Sequence, residues 1–170
     1  MVLWLAGSAL VAMWLVFRDP AIDHRVVVLG AVAPLLIDGL AGRPLVLHTL
    51  LGSVLLLGLV MGLTVGRRAA RRRWLGLPIG TFLALVAGGV WADRELFWWP
   101  VDGIAFDDRA LPLLDRPVAV IVALEVVGAL ALAWAYVRFG LTDPDRRRRF
   151  LRTGRIDRAI VDPTFEPPTC

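Results

Sequence analysis

Apolar residues fill five stretches of this chain, and polar residues collect in the segments between them. The stretches run over residues 2–17, 26–40, 45–65, 75–92 and 118–139. A helix needs about 20 apolar residues to cross the hydrocarbon core of a bilayer, and these stretches approach or reach that length. The pattern therefore predicts an all-α, polytopic membrane helical bundle of about five transmembrane helices over residues 1–140, followed by a polar segment over residues 141–170.

The composition supports a membrane-embedded body. Of the 170 residues, 58% are hydrophobic and 20% are charged, whereas a soluble domain averages roughly 45–50% apolar residues. The first stretch has no basic residue ahead of it and no small-residue cleavage site behind it, so we expect a transmembrane helix there and not a cleaved signal peptide. Cys170 is the only cysteine, which excludes a disulfide framework or a CxxC metal site within the chain.

The positive charges indicate an orientation. All 19 basic residues are arginines, and most of them follow the third and fifth apolar stretches. The segment over residues 93–117 carries six acidic residues against three arginines. Cytoplasmic loops of membrane proteins are enriched in basic residues. We therefore predict a multi-pass protein of the cell (inner) membrane with its N-terminus outside and its C-terminus in the cytoplasm, which places 15 arginines inside and 4 outside.

Two arginine clusters are predicted to lie on the inner membrane surface. They are Arg67, Arg68, Arg71, Arg72 and Arg73, and Arg146, Arg147, Arg148 and Arg149. The second cluster opens an expected amphipathic helix, capped by Thr142 and with Phe150, Leu151, Ile156 and Ile160 on its apolar side. We expect this helix to bind anionic lipid head groups of the bilayer. Nucleic acid is not a predicted partner, since arginines beside apolar spans have a topological cause. Residues 162–170 are expected to be disordered.

Small residues recur every four positions in the third and fourth apolar stretches. They are Gly58, Gly62 and Gly66 in the third stretch, and Gly76, Gly80, Ala84 and Gly88 in the fourth. Small residues at this spacing allow two helices to approach closely in lipid. We therefore predict that these two helices pack against each other at the centre of the bundle.

Titratable residues near the predicted outer ends of three helices form a candidate site. Asp38 lies close to the end of the second stretch, His48 lies near the start of the third, and Asp93 and Glu95 follow the fourth. Titratable groups within membrane segments indicate a functional site by default. An imidazole with carboxylates can bind zinc or another divalent metal and activate water, so Asp38, His48 and Asp93 are the predicted metal ligands.

A structural role for the same pair stays open. Asp38 could pair with Arg43 across the short turn, and His48 could bond a neighbouring carbonyl group, since ion-pair networks also occupy such positions. We expect the two residues to face each other across the helical hairpin, because a polar side chain that points at lipid is costly.

Two other titratable residues have separate expectations. His24 lies in the predicted cytoplasmic loop before the second stretch and is expected to be solvated. Glu125 lies inside the fifth stretch and is expected to face the bundle, hydrogen-bonded to Ser53 or Thr81.

The order of motifs resembles a known family. The segment GAVAPLLID, then HTLLGSVLLL, then a small-residue helix that leads to FWWPVDG, is similar to the bacterial membrane-bound metal-dependent hydrolase-like proteins, the YdjM group. The similarity covers about residues 26–106. It implies a metal-dependent phosphoester hydrolase at the membrane, with Asp38 and His48 at ligand-type positions and Phe97–Pro100 at a Trp-Pro motif.

The fourth apolar stretch departs from that family pattern. Ala84 and Gly88 occupy the positions where a histidine and an aspartate would be expected, and both belong to the small-residue repeat. A catalytic zinc site takes three protein ligands, and Asp93 lies more than one helical turn beyond Gly88. Two functions stay open: a hydrolase-like protein with a divalent metal such as zinc and its active site at the outer face, or a non-catalytic scaffold or subunit of a membrane complex with a membrane-protein partner.

Overall fold

The computed structural model describes residues 1–42, 45–101 and 116–161, and the regular secondary structure in these ranges is helical. The helices are α1 (Val2–Val16), α2 (His24–Ala41), α3 (Leu50–Leu63), α4 (Arg68–Trp74), α5 (Gly76–Ala87), α6 (Arg94–Phe97), α7 (Val118–Arg138), α8 (Pro144–Thr153) and α9 (Arg158–Val161). Short 3₁₀ turns cover Val46–His48 and Val90–Ala92. The prediction of an all-α chain is confirmed for the described residues.

The lengths of the helices support membrane association, but they support fewer spans than the five predicted. α2 has 18 residues and α7 has 21, and both are long and apolar enough to cross a membrane by length and composition. α1 and α3 are apolar but have only 15 and 14 residues, and α5 has 12. The described helices thus contain two candidate spans, and core helices of soluble proteins can pass the same test.

Two predicted helices are interrupted near the polar residues. The third, expected over residues 45–65, opens with the 3₁₀ turn, and α3 starts only at Leu50, after Thr49 in an extended conformation. The fourth, expected over residues 75–92, ends at Ala87, since Gly89 takes a left-handed conformation with φ 70°. Glycine adopts this conformation without the steric cost that a Cβ atom imposes. Both breaks place polar residues in turns instead of helix interiors.

The core lies between α1, α2 and α5. These three helices contribute buried side chains to one apolar cluster, among them Leu5, Ala9, Met13, Val27, Ala31, Ala84 and Leu85. α7 packs along α1, where Gly7 meets Gly128 and, further along both helices, the rings of Trp14 and Phe139 lie 5.5 Å apart. Because these contacts advance in the same direction along both helices, α1 and α7 are parallel.

The predicted contact between α3 and α5 is present, but the glycines of α5 lie against α2, and the glycines of the α3 repeat take no part in that contact. A Cβ atom at Gly80 would collide with the carbonyl oxygen of Val27 and would lie 2.8 Å from the backbone nitrogen of Ala31. A Cβ atom at Gly58 or Gly62 of α3 would meet no described atom within 4 Å outside its own helix. The close helix crossing therefore joins α5 to α2.

The remaining small residues of the two repeats lie either in the core or at helix ends and turns. Gly76 also lies against α2, and Ala84 is buried in the core cluster. Gly88 caps the end of α5, and Gly66 has a left-handed φ of 76° in the turn before α4. Close approach needs small residues on both helices, and α2 supplies Gly30, which lies against the backbone of α5.

The polar segment after α7, of which residues 141–161 are described and which is called the tail below, folds back onto the bundle. This corrects the expectation that the apolar side of the segment lies on lipid. Asp143 N-caps α8, one residue after the predicted Thr142. Ile156 is buried in a second apolar cluster with residues from the ends of α1 and α7, and Phe150 packs against it. Leu151 stays exposed. The apolar side chains of the tail thus find most of their partners within the chain. The expected disorder of residues 162–170 falls outside the described residues.

Candidate functional site

A tight turn between α2 and α3 brings Asp38 and His48 together. α2 ends at Ala41, and Gly42 follows in a left-handed conformation with φ 68°. A glycine in this conformation commonly ends a helix and redirects the chain. The chain returns through the 3₁₀ turn Val46–His48, which places the imidazole against the last turns of α2.

Asp38 holds both sides of this turn. Its Oδ2 atom accepts a hydrogen bond of 3.1 Å from the backbone N–H of Leu45 and is in ion-pair contact with Nδ1 of His48. The Asp38 side chain is fully buried, and that of His48 is 5% exposed. The expectation that the two residues face each other is confirmed. The alternative partner Arg43 lies outside the described residues.

Thr49 fixes the start of α3 directly after the imidazole. Its hydroxyl accepts a hydrogen bond of 2.9 Å from the N–H of Gly52 and donates one of 2.7 Å to the carbonyl of Val46. The first contact is an N-cap, a contact that contributes about 1 kcal/mol to helix stability. A Cβ atom at Gly52 would collide with the Val46 carbonyl oxygen. The turn that carries His48 is therefore packed tightly onto the first turn of α3.

Three buried polar atoms in this region lack an aligned hydrogen-bond partner among the described residues. They are Oδ1 of Asp38, Nδ1 of His48 and Oγ of Ser53. Nδ1 of His48 nevertheless lies in contact with the Asp38 carboxylate. Since Oγ of Ser53 has no hydrogen-bond partner among the described residues, no hydrogen bond joins it to His48 as in the nucleophile–base pair of a serine hydrolase, where the two atoms lie about 2.6–3.2 Å apart.

The predicted third metal ligand does not join the pair. The Asp93 side chain caps α6 by accepting a hydrogen bond of 3.2 Å from the N–H of Leu96. Within residues 1–42, 45–101 and 116–161, no three His, Cys, Asp or Glu side chains are grouped so that they could hold a metal ion. A catalytic zinc site takes three protein ligands. One imidazole and one carboxylate therefore do not fit a zinc centre by themselves.

A second polar cluster, which the sequence analysis missed, lies at the opposite end of α2. The expectation that His24 is solvated is wrong, since the residue is 2% exposed. Its backbone N–H donates a hydrogen bond of 2.9 Å to the carbonyl of Gly154, and its Nδ1 atom lies 3.1 Å from the same oxygen. The ring also packs against Phe139 and Phe150. His24 thus attaches the tail to α2.

Asp23 and Arg25 complete this cluster. Asp23 N-caps α2, and its carboxylate forms ion pairs of 3.0 Å with Arg25 and 3.4 Å with Arg73. Arg25 also donates a hydrogen bond of 2.6 Å to the carbonyl of Leu151. Burial raises the pKa of Asp23, but the hydrogen bonds and charge of Arg25, with the charge of Arg73, outweigh burial and lower that pKa below its ordinary value. An aspartate shortly before an apolar run is a typical N-cap signal, and Asp23 lies three positions before Val26, whereas nothing in the sequence indicated the contact with the tail.

The two predicted arginine clusters form α4 and α8 at this same end of the bundle. Arg73 of α4 pairs with Asp23. A Cβ atom added at Gly76, the first residue of α5, would lie 3.2 Å from the Asp23 carbonyl oxygen. Arg149 of α8 pairs with Asp157 over 3.5 Å. The arginines therefore gather where α2 begins, away from the Asp38–His48 pair.

Glu125 has partners that differ from those expected. Its carboxylate accepts a hydrogen bond of 3.0 Å from the N–H of Leu3 and contacts the amino group of Met1. Thr81 donates instead to the carbonyl of Pro78, 2.9 Å away. The expected bond from Glu125 to Ser53 or Thr81 is wrong, because α1 lies along α7 at this point.

Comparisons with protein-family models, with curated proteins and with solved structures find no match for this chain. The resemblance to the membrane-bound hydrolase-like family therefore stays a prediction from its short motifs.

Proposed function

We propose that this chain is a five-span membrane protein that serves as a non-catalytic scaffold or subunit of a membrane complex. The observation that carries the proposal is the closed turn at Asp38, whose carboxylate accepts from Leu45 and contacts His48. Both titratable side chains are thereby used to hold α2 and α3 together. Among the described residues, neither a third metal ligand nor a bonded nucleophile accompanies them.

The helix directions support five crossings. α1 and α7 are parallel, and so are α2 and α5, since Gly76 lies beside Asp23 and Gly80 lies beside Ala31. In a chain that crosses five times, the first and fifth spans are parallel to each other and the second and fourth are parallel to each other, so these two parallel pairs support the proposal. The arginine-rich α4 and α8 then share the cytoplasmic side. A cytoplasmic reporter fused after residue 170 should be active, and periplasmic activity of such a fusion would contradict this orientation.

The surface of α7 supports a role in binding a membrane-protein partner. Only 11% of its most apolar 18-residue window is buried within the chain, and Val118, Val122 and Leu130 are among its exposed residues. An apolar face of this size requires lipid or protein to cover it. In this proposal lipid covers part of the face, and a partner helix covers the rest. The two arginine clusters, Arg67 to Arg73 and Arg146 to Arg149, bind anionic lipid head groups at the inner surface.

One observation favours the second candidate, a metal-dependent hydrolase. The Asp38 carboxylate contacts Nδ1 of His48, which leaves Nε2 of that ring for a metal ion or a proton. Histidines that bind metals usually have their other ring nitrogen held by a carboxylate in this way. In that case Asp38 would orient the ligand instead of binding the ion, and further ligands would have to come from other groups.

Metal analysis of His48→Ala separates the two candidates. Under the scaffold proposal, we expect the purified protein to carry no stoichiometric divalent metal. His48→Ala should lower the free energy of unfolding by about 1–3 kcal/mol, since it leaves the buried Asp38 carboxylate short of a partner. This loss should be the same with and without a chelator. Asp93→Asn, which keeps the capping ability of the side chain at α6, should leave the metal content unchanged.

The opposite result would support the hydrolase. A metal ion that copurifies with the wild-type chain, is lost in His48→Ala and stabilises only the wild type would contradict the scaffold proposal, because a bound ligand stabilises the state that binds it.

A further inference from the structure

A pocket of about 390 Å³ opens where the tail meets the loop between α1 and α2. Its lining consists of Pro20 and Ala21 from the loop, and of Arg149, Thr153, Arg155, Ile156, Asp157 and Arg158 from the tail. Two segments that are more than a hundred residues apart in sequence therefore build a single concave surface.

The lining of this pocket has an excess of positive charge. The lining residues include three arginines and one acidic residue, Asp157, and Arg158 has further interactions of its own. The Asp157 carboxylate is shared between Arg149, 3.5 Å away, and the backbone N–H of Ala159, 3.3 Å away. Arg155 forms no ion pair with any residue of the described ranges. At least one guanidinium group at this pocket is therefore available to an external anion.

Hydrogen bonds hold the arginines of the pocket in a defined arrangement. The Thr153 hydroxyl donates a hydrogen bond of 2.8 Å to the carbonyl of Arg149 and accepts one of 3.3 Å from the N–H of Arg155. The contact of His24 with Gly154 then attaches this segment to α2. The backbones of Arg149 and Arg155 are thus fixed relative to each other and to the start of α2.

We propose that this pocket binds a phosphate group. Guanidinium groups match the geometry of phosphate oxygens and form paired, charge-assisted hydrogen bonds with them. The volume of 390 Å³ falls in the range of small-molecule pockets, roughly 300–1,000 Å³, so it admits a phosphate that carries a substituent. The phosphate can belong to a lipid head group or to a soluble compound. The placement of the pocket at a membrane surface rests on the proposed five-span topology, whereas the affinity of the pocket for phosphate does not.

Titration of the purified full-length chain in detergent with two probes tests the site. The probes are inorganic phosphate and the short-chain lipid dioctanoyl phosphatidic acid, each added at a constant chloride concentration near 0.15 M, where long-range attraction is largely screened. We expect saturable binding of at least one probe by calorimetry. Arg155→Gln should weaken it about tenfold, as the loss of one hydrogen bond to a charged group predicts.

Arg152→Gln is the matched control. Arg152 lies in α8, carries the same charge and is not part of the pocket lining, so its loss should leave the affinity nearly unchanged. Tighter binding of phosphatidic acid than of inorganic phosphate would assign the site to a lipid head group, and equal binding would assign it to a soluble phosphate. Equal weakening by Arg152→Gln and Arg155→Gln, or no saturable binding of either probe, would overturn the proposal. Failure here would leave the topology and the scaffold proposal untouched, since their tests use reporters and metal content.

Discussion

Replacing Gly80 with alanine tests the packing of α5 against α2 with the smallest possible change. The added Cβ atom would collide with the Val27 carbonyl oxygen and come within 2.8 Å of the Ala31 nitrogen. Both obstacles are backbone atoms of α2, which cannot move aside by a side-chain rotation. The small-residue repeat considered alone predicts that alanine is tolerated at this position, because alanine is itself a small residue.

Gly58→Ala is the matched control, because it makes the same chemical change inside α3. No described atom outside that helix lies within 4 Å of the added Cβ atom. Alanine favours a helix over glycine by roughly 0.5–1 kcal/mol, and this gain applies to both variants and cancels in their comparison. The remaining difference is the cost of overpacking, about 1–3 kcal/mol.

The difference should be visible in the melting temperature. For a chain of 150–250 residues, 1 kcal/mol shifts Tm by about 2–4 °C, so a difference of about 2 kcal/mol should lower the Tm of Gly80→Ala below that of Gly58→Ala by about 4–8 °C. Thermal unfolding in detergent, followed by far-UV circular dichroism, measures this shift. Equal melting temperatures for the two variants would refute the assignment of the close crossing to α2 and α5.

Two further predictions concern the cluster that attaches the tail. Gly154→Ala should release the tail and speed tryptic cleavage at the tail's arginines, because a Cβ atom there would strain a φ of 68° and collide with the Asp23 carboxylate. Gly140→Ala is the control: it has a similar φ of 64°, but its neighbour is the flexible Arg146 side chain, so the effect should be smaller. Asp23 has a folded-state pKa below its ordinary value of 3.8, so its ion pairs stabilise the folded chain above that value and lose this contribution as the pH falls below it. Asp23→Asn, which can still cap α2, should therefore flatten the dependence of Tm on pH in the acidic range, and an unchanged acid dependence would contradict the role given to this carboxylate.

The positions of the helices and the meeting of Asp38 with His48 could be predicted from the sequence, because both depend on short stretches of chain. Apolar runs, glycines and capping residues act within a few positions of themselves. Asp38 and His48 are ten positions apart, and a turn that reverses the chain between them brings their side chains close together.

Only the tertiary structure decided which helices touch. A small-residue repeat indicates that another helix can approach closely, but it does not identify that helix. Several helices of a chain contain small residues, and each of them can pack in this way. Gly80 therefore meets α2 and not α3. His24 binds Gly154, 130 positions away, through a backbone carbonyl, and every residue has such a carbonyl, so no side-chain pattern marks it. Asp93 caps α6, because the backbone N–H of Leu96 lies only three positions along the chain, whereas the Asp38–His48 pair lies in a distant segment.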